Sequence, residues 1–139
     1  MNEAKLFRTN LSLITIKEMA DHLVNTKDNS VAVCNANSVV RSARSGTMAS
    51  MLNSMTHKIC DGYPLSKALN ILYGVNQERV DGFNIFHKTI KSGIEKKTSH
   101  YFFGNIEDVT IKMISELEKE YPDIVINGYH CPPMQDASD

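Results

Sequence analysis

The chain has 139 residues, 42% of them hydrophobic, which suits one compact domain with a single core. Fifteen basic residues against sixteen acidic ones leave a formal net charge of -1, so nothing electrostatic favours nucleic acid as a partner. Cys34, Cys60 and Cys131 are widely spaced and form no Cys-x-x-Cys pair, which speaks against a disulfide framework or structural zinc and for reduced thiols in a cytosol.

The first thirteen residues, "MNEAKLFRTNLSL", lack the apolar core of a secretory signal. No apolar run approaches the ~20 residues that span a bilayer, so the expectation is a cytoplasmic protein, at most peripheral to a membrane. Thr15-Ile-Lys-Glu18 has capping-box spacing and predicts a helix with Ile16, Met19, Ala20, Leu23 and Val24 on one stripe. "VAVC" (31–34) predicts a buried strand. "NSVVRSARSGTMASMLNSM" predicts helix in two pieces, broken at Gly46. "HKIC" (57–60) is a second, weaker strand candidate. Pro64 opens a helix carrying Leu65, Ala68, Leu69 and Leu72 and closed by Gly74. Phe83, Phe86, Ile90 and Ile94 mark the next helix. "HYFF" (100–103) predicts a strand turned by Gly104-Asn105. Ile106, Val109, Met113, Leu117 and Tyr121 define an amphipathic helix, and "DIVI" (123–126) a last strand. The tail "CPPMQDASD" shows no periodicity.

Strands alternating with helices predict an α/β fold, a Rossmann-like parallel sheet with helices on both faces, in a single domain over residues 1–139. Open parallel sheets take ligands beyond the carboxyl ends of their strands. The residues there are Asn35, Asp61-Gly62, Gly104-Asn105 and Tyr129-His130.

Each has two readings. Asp61 either caps the helix that Pro64 begins or serves as a base at the mouth of the sheet, accepting a proton from a substrate hydroxyl. Gly62 lets the backbone turn or approach a ligand closely. Asn35 is a cap, or an amide that bonds a sugar or phosphate. Gly104-Asn105 is a connecting turn or a phosphate cradle; the P-loop and G-x-G-x-x-G signatures are both absent. Arg79, in the polar stretch "NQERVDGFN", is a solvated side chain or a clamp for pyrophosphate. The five histidines show no metal spacing and read as surface or packed residues. "TMASMLNSM" reads as core or interface filling.

"VAVCNANSVVRSAR", "ICDGYPL", "ERVDGFNIF", "YFFGN" and "YPDIVINGYHCPP" occur in this order along the chain. The ordered set, from about Ile14 to Pro133, resembles the WecG/TagA/CpsF family, glycosyltransferase family 26. The resemblance implies an inverting, metal-independent transferase of bacterial surface-polymer synthesis that needs no cofactor. It would move a hexose or N-acetylmannosamine-type sugar from a UDP-sugar to a polyprenyl-diphosphate-linked acceptor at the inner face of the membrane. By position, Asp61 matches the aspartate proposed as general base, Asn35 the asparagine of the family's Thr-x-Asn motif, and Arg79 the arginine of its Arg-Val-x-Gly loop.

Three departures accompany the resemblance. Val33 stands where the motif has threonine, and Asn84 where the family has aspartate. The family also continues past "CPPMQDASD" with further strands, helices and a membrane-docking appendage, so the sheet is expected to be incomplete at its C-terminal side. A sheet with an uncovered edge predicts self-association and little transferase activity for these residues alone. The rival reading is a non-catalytic UDP-sugar-binding or subunit module. A redox or nucleotide-cofactor enzyme on the same fold lacks its glycine fingerprint.

Overall fold

A computed structural model describes residues 2–133; the "MQDASD" end of the tail lies outside the described residues. The chain forms two compact units divided between Thr89 and Ile90, each taken by itself below.

The first unit opens with a hairpin that the sequence pattern did not announce. Strands β1 (Asn2–Leu6) and β2 (Thr9–Leu13) pair antiparallel, with Leu6 opposite Thr9. The two residues between them, Phe7 and Arg8, make the turn, and Phe7 sits in the left-handed region at φ 53. Ala4, Leu6, Thr9 and Leu11 share the buried face. Helix α1 (Ile16–Asn25) follows, and Thr15 caps it as the spacing predicts: Glu18 N–H donates to Thr15 Oγ1 (3.2 Å) and Thr15 N–H to Glu18 Oε2 (2.9 Å).

Strand β3 (Val31–Cys34), helices α2 (Ala36–Arg44) and α3 (Gly46–Ser54), and strand β4 (His57–Cys60) come next. The helical break falls at Ser45, which caps α3 through Met48 N–H. Met51 in the methionine-rich piece is exposed, while Ala49 and Leu52 turn inward. β3 and β4 pair in parallel, Val31 beside His57 through Cys34 beside Cys60. Helix α4 (Tyr63–Tyr73) ends at Gly74, and α5 (Gly82–Gly93) crosses the division between units.

β4 is the axis of this unit, since all four of its residues are buried. A strand in a parallel pair needs apolar cover on both faces, and here it has both. Cys60 belongs to a cluster with Ala4, Leu6, Leu11, Cys34, Val39, Leu65 and Leu69. Ile59 faces a second cluster of Ile14, Met19, Val80 and Ile85. Burying each large aliphatic side chain contributes about 1.5–3 kcal/mol, so the two clusters clamp β4 from both sides. β2 flanks it as well: Lys58 N–H donates to Ser12 Oγ (3.1 Å), and Thr9 bonds Ser42 of α2 (2.6 Å between hydroxyls). The buried Lys58 ammonium is matched by Glu3 Oε1 at 2.8 Å.

In the second unit, β5 (Ser99–Phe103), α6 (Glu107–Glu120) and β6 (Val125–His130) form a parallel β-α-β unit, with a register shift between His100 and Tyr101. The last strand begins later than 123–126 and runs on to His130. Asp123 and Ile124 are consumed in the turn that leaves α6, where Ile124 N–H bonds Tyr121 C=O at 3.0 Å. The described residues thus give an α/β fold of the Rossmann type, six helices with short parallel strand pairs and one added antiparallel hairpin.

The cysteines make the burial testable. Loss of solvent pushes the Cys34 thiol up to about 11 and the Cys60 thiol up to about 12. At pH 8 their thiolate fractions are then only ~0.001 and ~0.0001, and the thiolate is the reactive form. Cys131 is partly exposed. Titration of the native protein with dithionitrobenzoate is expected to modify one thiol readily and all three only after urea is added; three fast thiols in the native state would contradict this core.

Candidate active site

The parallel register of β3 and β4 brings their carboxyl ends to one place. Asp61 N–H donates to Cys34 C=O (2.8 Å), so the residue after β4 is tied to the end of β3. The chain returns after α4, and Val80 N–H donates to Cys60 C=O (2.9 Å). Three segments therefore meet: Asn35 after β3, Asp61-Gly62 after β4, and Arg79-Asp81 ahead of α5.

Asp61 does not cap α4. Gly62 occupies the N-cap at φ +108, a conformation that side chains resist, and no side chain caps the helix there. The partner of Asp61 is Arg79, whose Nε–H donates to Oδ1 at 3.3 Å. The aspartate side chain is 28% exposed and the arginine 55%, so the pair borders solvent, with Asp61 the deeper member. Among the described residues Asp61 Oδ2 has no hydrogen-bond partner, leaving one carboxylate oxygen to meet a ligand.

The arginine is delivered by a loop with its own scaffold. Gln77, buried, takes both polar groups of Ile14: Ile14 N–H donates to Oε1 (2.9 Å) and Nε2 donates to Ile14 C=O (2.7 Å). Asn70 of α4 does the same for the Gln77 backbone, at 2.7 and 3.1 Å. Arg79 is therefore not the tip of a solvated loop.

Asn35 meets the bland expectation and leaves room for the other. It caps α2, accepting from Ser38 N–H at Oδ1 (3.0 Å) while its own N–H donates to Ser38 Oγ (2.9 Å). Val33 is exposed on β3, its methyls turned toward Gly82. In the second unit, Gly104 N–H donates to His130 C=O (2.9 Å), Gly104 lies at φ +110 and Asn105 at φ 65, and Asn105 Oδ1 accepts from Ile106 N–H (2.9 Å). That is a turn entering α6. Tyr129 and His130 lie within β6 rather than beyond it, because the strand extends further than its apolar start suggested.

Asp81 escaped the sequence reading, although Asp-x-x-Asn spacing ahead of a helix was the available signal. It is buried, and Asn84 binds both its oxygens, through the backbone N–H to Oδ1 (3.0 Å) and through Nδ2 to Oδ2 (2.7 Å). The Asn84 amide, then its backbone N–H, hold the Asp81 carboxyl below the usual carboxylate range; burial opposes them and Arg79 adds attraction. Among the described residues no three His, Cys, Asp or Glu side chains converge to hold a metal ion.

A parallel α/β unit with a carboxylate, a guanidinium and an amide at its strand ends belongs to the class that takes ligands beyond those ends. Residues 4–139 match the glycosyl transferase WecG/TagA/CpsF family, and the chain belongs to it. It is similar to N-acetylglucosaminyldiphosphoundecaprenol N-acetyl-beta-D-mannosaminyltransferase of Bacillus subtilis (strain 168), 26% identical over 88 residues. Those residues are 63% of this chain and 34% of that relative, so the match spans about a third of the relative's length.

The Asp81–Asn84 contact gives a pH prediction. Asp81 has a lowered folded value, so its stabilisation is present above its unfolded value, near 4, and is lost as pH falls through the folded one. Asn84→Asp replaces a donor by a second carboxylate at hydrogen-bond distance, which raises the folded value of that pair. The variant is therefore expected to match the parent below about pH 4 and to become less stable as pH rises to 7. Urea unfolding at both pH values checks the sign, and an equal loss at pH 3.5 and 7 would contradict it.

Proposed function

We propose that the chain carries the acceptor-activating part of a transferase for cell-surface polysaccharide, with Asp61 as general base. The observation that carries the reading is the Asp61–Arg79 pair at the carboxyl end of β4, where one carboxylate oxygen is engaged and the other open.

The acceptor hydroxyl gives its proton to Asp61 as its oxygen forms a bond to the anomeric carbon of the donor sugar. The bond from that carbon to the diphosphate breaks, and its electron pair leaves with UDP. A single displacement of this kind inverts the anomeric centre. Arg79 is placed to meet the charge that grows on the departing diphosphate, since a guanidinium matches phosphate oxygens in a fork. Proton transfer neutralises Asp61 at the moment the leaving group becomes anionic, which weakens the hold of Asp61 on Arg79 as the diphosphate needs it. Asn35, with Nδ2 unpartnered among the described residues, and Gly62 line the same mouth; Gly104 and Asn105 are assigned to substrate binding from their strand end.

The relative's name describes transfer of N-acetylmannosamine to a lipid-diphosphate sugar. By that likeness the donor is a UDP-N-acetylhexosamine or UDP-hexose, the acceptor a polyprenyl-diphosphate sugar, and the working place the membrane surface. No helix among the described residues is long and apolar enough to cross a membrane. A second reading, a UDP-sugar-binding module without transfer, has Val33 in its favour, because a valine replaces the hydroxyl expected beside Asn35.

The test uses the longest form of the chain that its gene encodes, with radiolabelled UDP-N-acetylmannosamine and a lipid-diphosphate N-acetylglucosamine acceptor. Asp61→Asn is expected to lower kcat by about 10²–10⁴ while UDP affinity, read by calorimetry, stays near the parent value. Unchanged turnover in Asp61→Asn would remove the base assignment. UDP binding without any turnover by the parent would establish the module instead.

A further inference from the structure

The reaction above needs a place for the acceptor, and the Asp61 carboxylate fixes on which side that place falls. Oδ1 accepts from Arg79, while Oδ2 has no partner among the described residues. In a single displacement the attacking oxygen and the departing group stand on opposite faces of the anomeric carbon. With the diphosphate on the side of Arg79, the acceptor lies on the other side of Asp61.

Past Asp61 the backbone turns at Gly62 and sets Tyr63 at the first position of α4. Its side chain is 65% exposed, so the ring adds little to the core. One turn on, Lys67 Nζ lies over this ring, 5.4 Å from its centroid. Long helical side chains lean toward the helix N-terminus, and Lys67 does so to reach Tyr63. Ring and ammonium therefore stand together at the end of α4 that opens on the carboxyl ends of β3 and β4. A cation on one face of a ring steadies it and leaves the other face to a ligand.

An open aromatic face with an ammonium beside it suits a particular chemistry. A pyranose has a face of C–H groups that packs on such a ring while its hydroxyls stay at the edge. A diphosphate on its anomeric oxygen then calls for a cation at the far side of the sugar. Tyr63 and Lys67 are one helical turn apart, about 5.4 Å along the axis, comparable with the breadth of one pyranose. We propose that Tyr63 and Lys67 form the acceptor subsite, the ring packing on the acceptor sugar and the ammonium meeting its diphosphate. This rests on Asp61 as base, which sets the side the acceptor occupies.

The competing account is a surface pair that only steadies the first turn of α4. It predicts a small loss of stability on truncation and no change in binding. The probes are N-acetylglucosamine linked through a diphosphate to a decyl chain, and decyl diphosphate without the sugar. Each is titrated calorimetrically into the 139-residue chain, with urea unfolding to confirm that every variant is folded.

Tyr63→Ala is expected to weaken the sugar-bearing probe about fivefold to tenfold and to leave the sugar-free one unchanged, while Tyr63→Phe keeps both. Lys67→Ala is expected to weaken both probes about tenfold, with Lys67→Arg restoring them. UDP affinity stays at the parent value throughout. Parent-like binding of the sugar-bearing probe by Tyr63→Ala overturns the proposal. So does an equal loss for both probes in Tyr63→Ala, which marks contact with the alkyl chain, or failure of the parent to bind the sugar-bearing probe. Neither titration needs turnover. Failure of the base assignment appears as unchanged turnover in Asp61→Asn, and failure of this inference only in the binding of the two probes.

Discussion

The carboxamide of Gln77 is the joint on which the candidate site depends. It bonds the N–H and C=O of Ile14, where β2 leaves for α1, while Asn70 bonds the N–H and C=O of Gln77 itself. Two amides in series thus lock one residue of a connecting loop to a strand end and to a helix. A satisfied hydrogen bond contributes about 0.5–1.5 kcal/mol net, but a buried group left unpaired costs about 1–3 kcal/mol. The arrangement is therefore held less by its gain than by the penalty for leaving it. Three residues on, Val80 is bonded to the end of β4 and buried against Ile59. Arg79 lies between two fixed points, and its side chain meets Asp61 as a consequence.

The electrostatics follow from that geometry. Exposed ion pairs contribute about 0–1 kcal/mol to stability, so the Asp61–Arg79 pair is not what holds the unit together. The clusters on either face of β4 do that. The pair is instead a weak contact maintained by strong surroundings, one that engages Oδ1 of Asp61 and leaves Oδ2 open. Gly62 contributes by leaving the start of α4 without a side-chain cap, so that Asp61 is not spent there.

Much of this was legible in the residues. Thr15 and Glu18 announce α1 because a capping box needs those two side chains at that spacing, and the order of strands and helices from Val31 onward follows from apolar period and from Pro64 and Gly74. The hairpin at the N-terminus was not legible: its turn is Phe7-Arg8, with none of the Gly, Asn or Asp that mark tight turns, and Phe7 adopts a positive φ only because Leu6 and Thr9 are held opposite each other. The last strand was misplaced because Asp123 and Ile124 fit a strand pattern locally but are needed to leave α6. At the site, Asp61 and Asn35 could be chosen from strand ends, yet capping and ligand binding call on the same residue types. Only the backbone bonds separate them, making Gly62 the cap in one case and Asn35 in the other. Gln77 and Asp81 were hidden for a related reason. Polar residues in a loop read as solvated, and their burial depends on contacts as far as 63 residues away.

The central claim is that a carboxylate at position 61, held beside Arg79, removes the acceptor proton. Chemical rescue tests it most directly. Asp61→Ala leaves a gap beside the guanidinium that a small carboxylate can fill. Turnover of the variant is expected to fall by about 10²–10⁴ and to recover saturably, by about tenfold or more, as formate is added, while the parent is unaffected. Parent-level turnover in Asp61→Ala without formate, or no recovery while UDP still binds, would contradict the account.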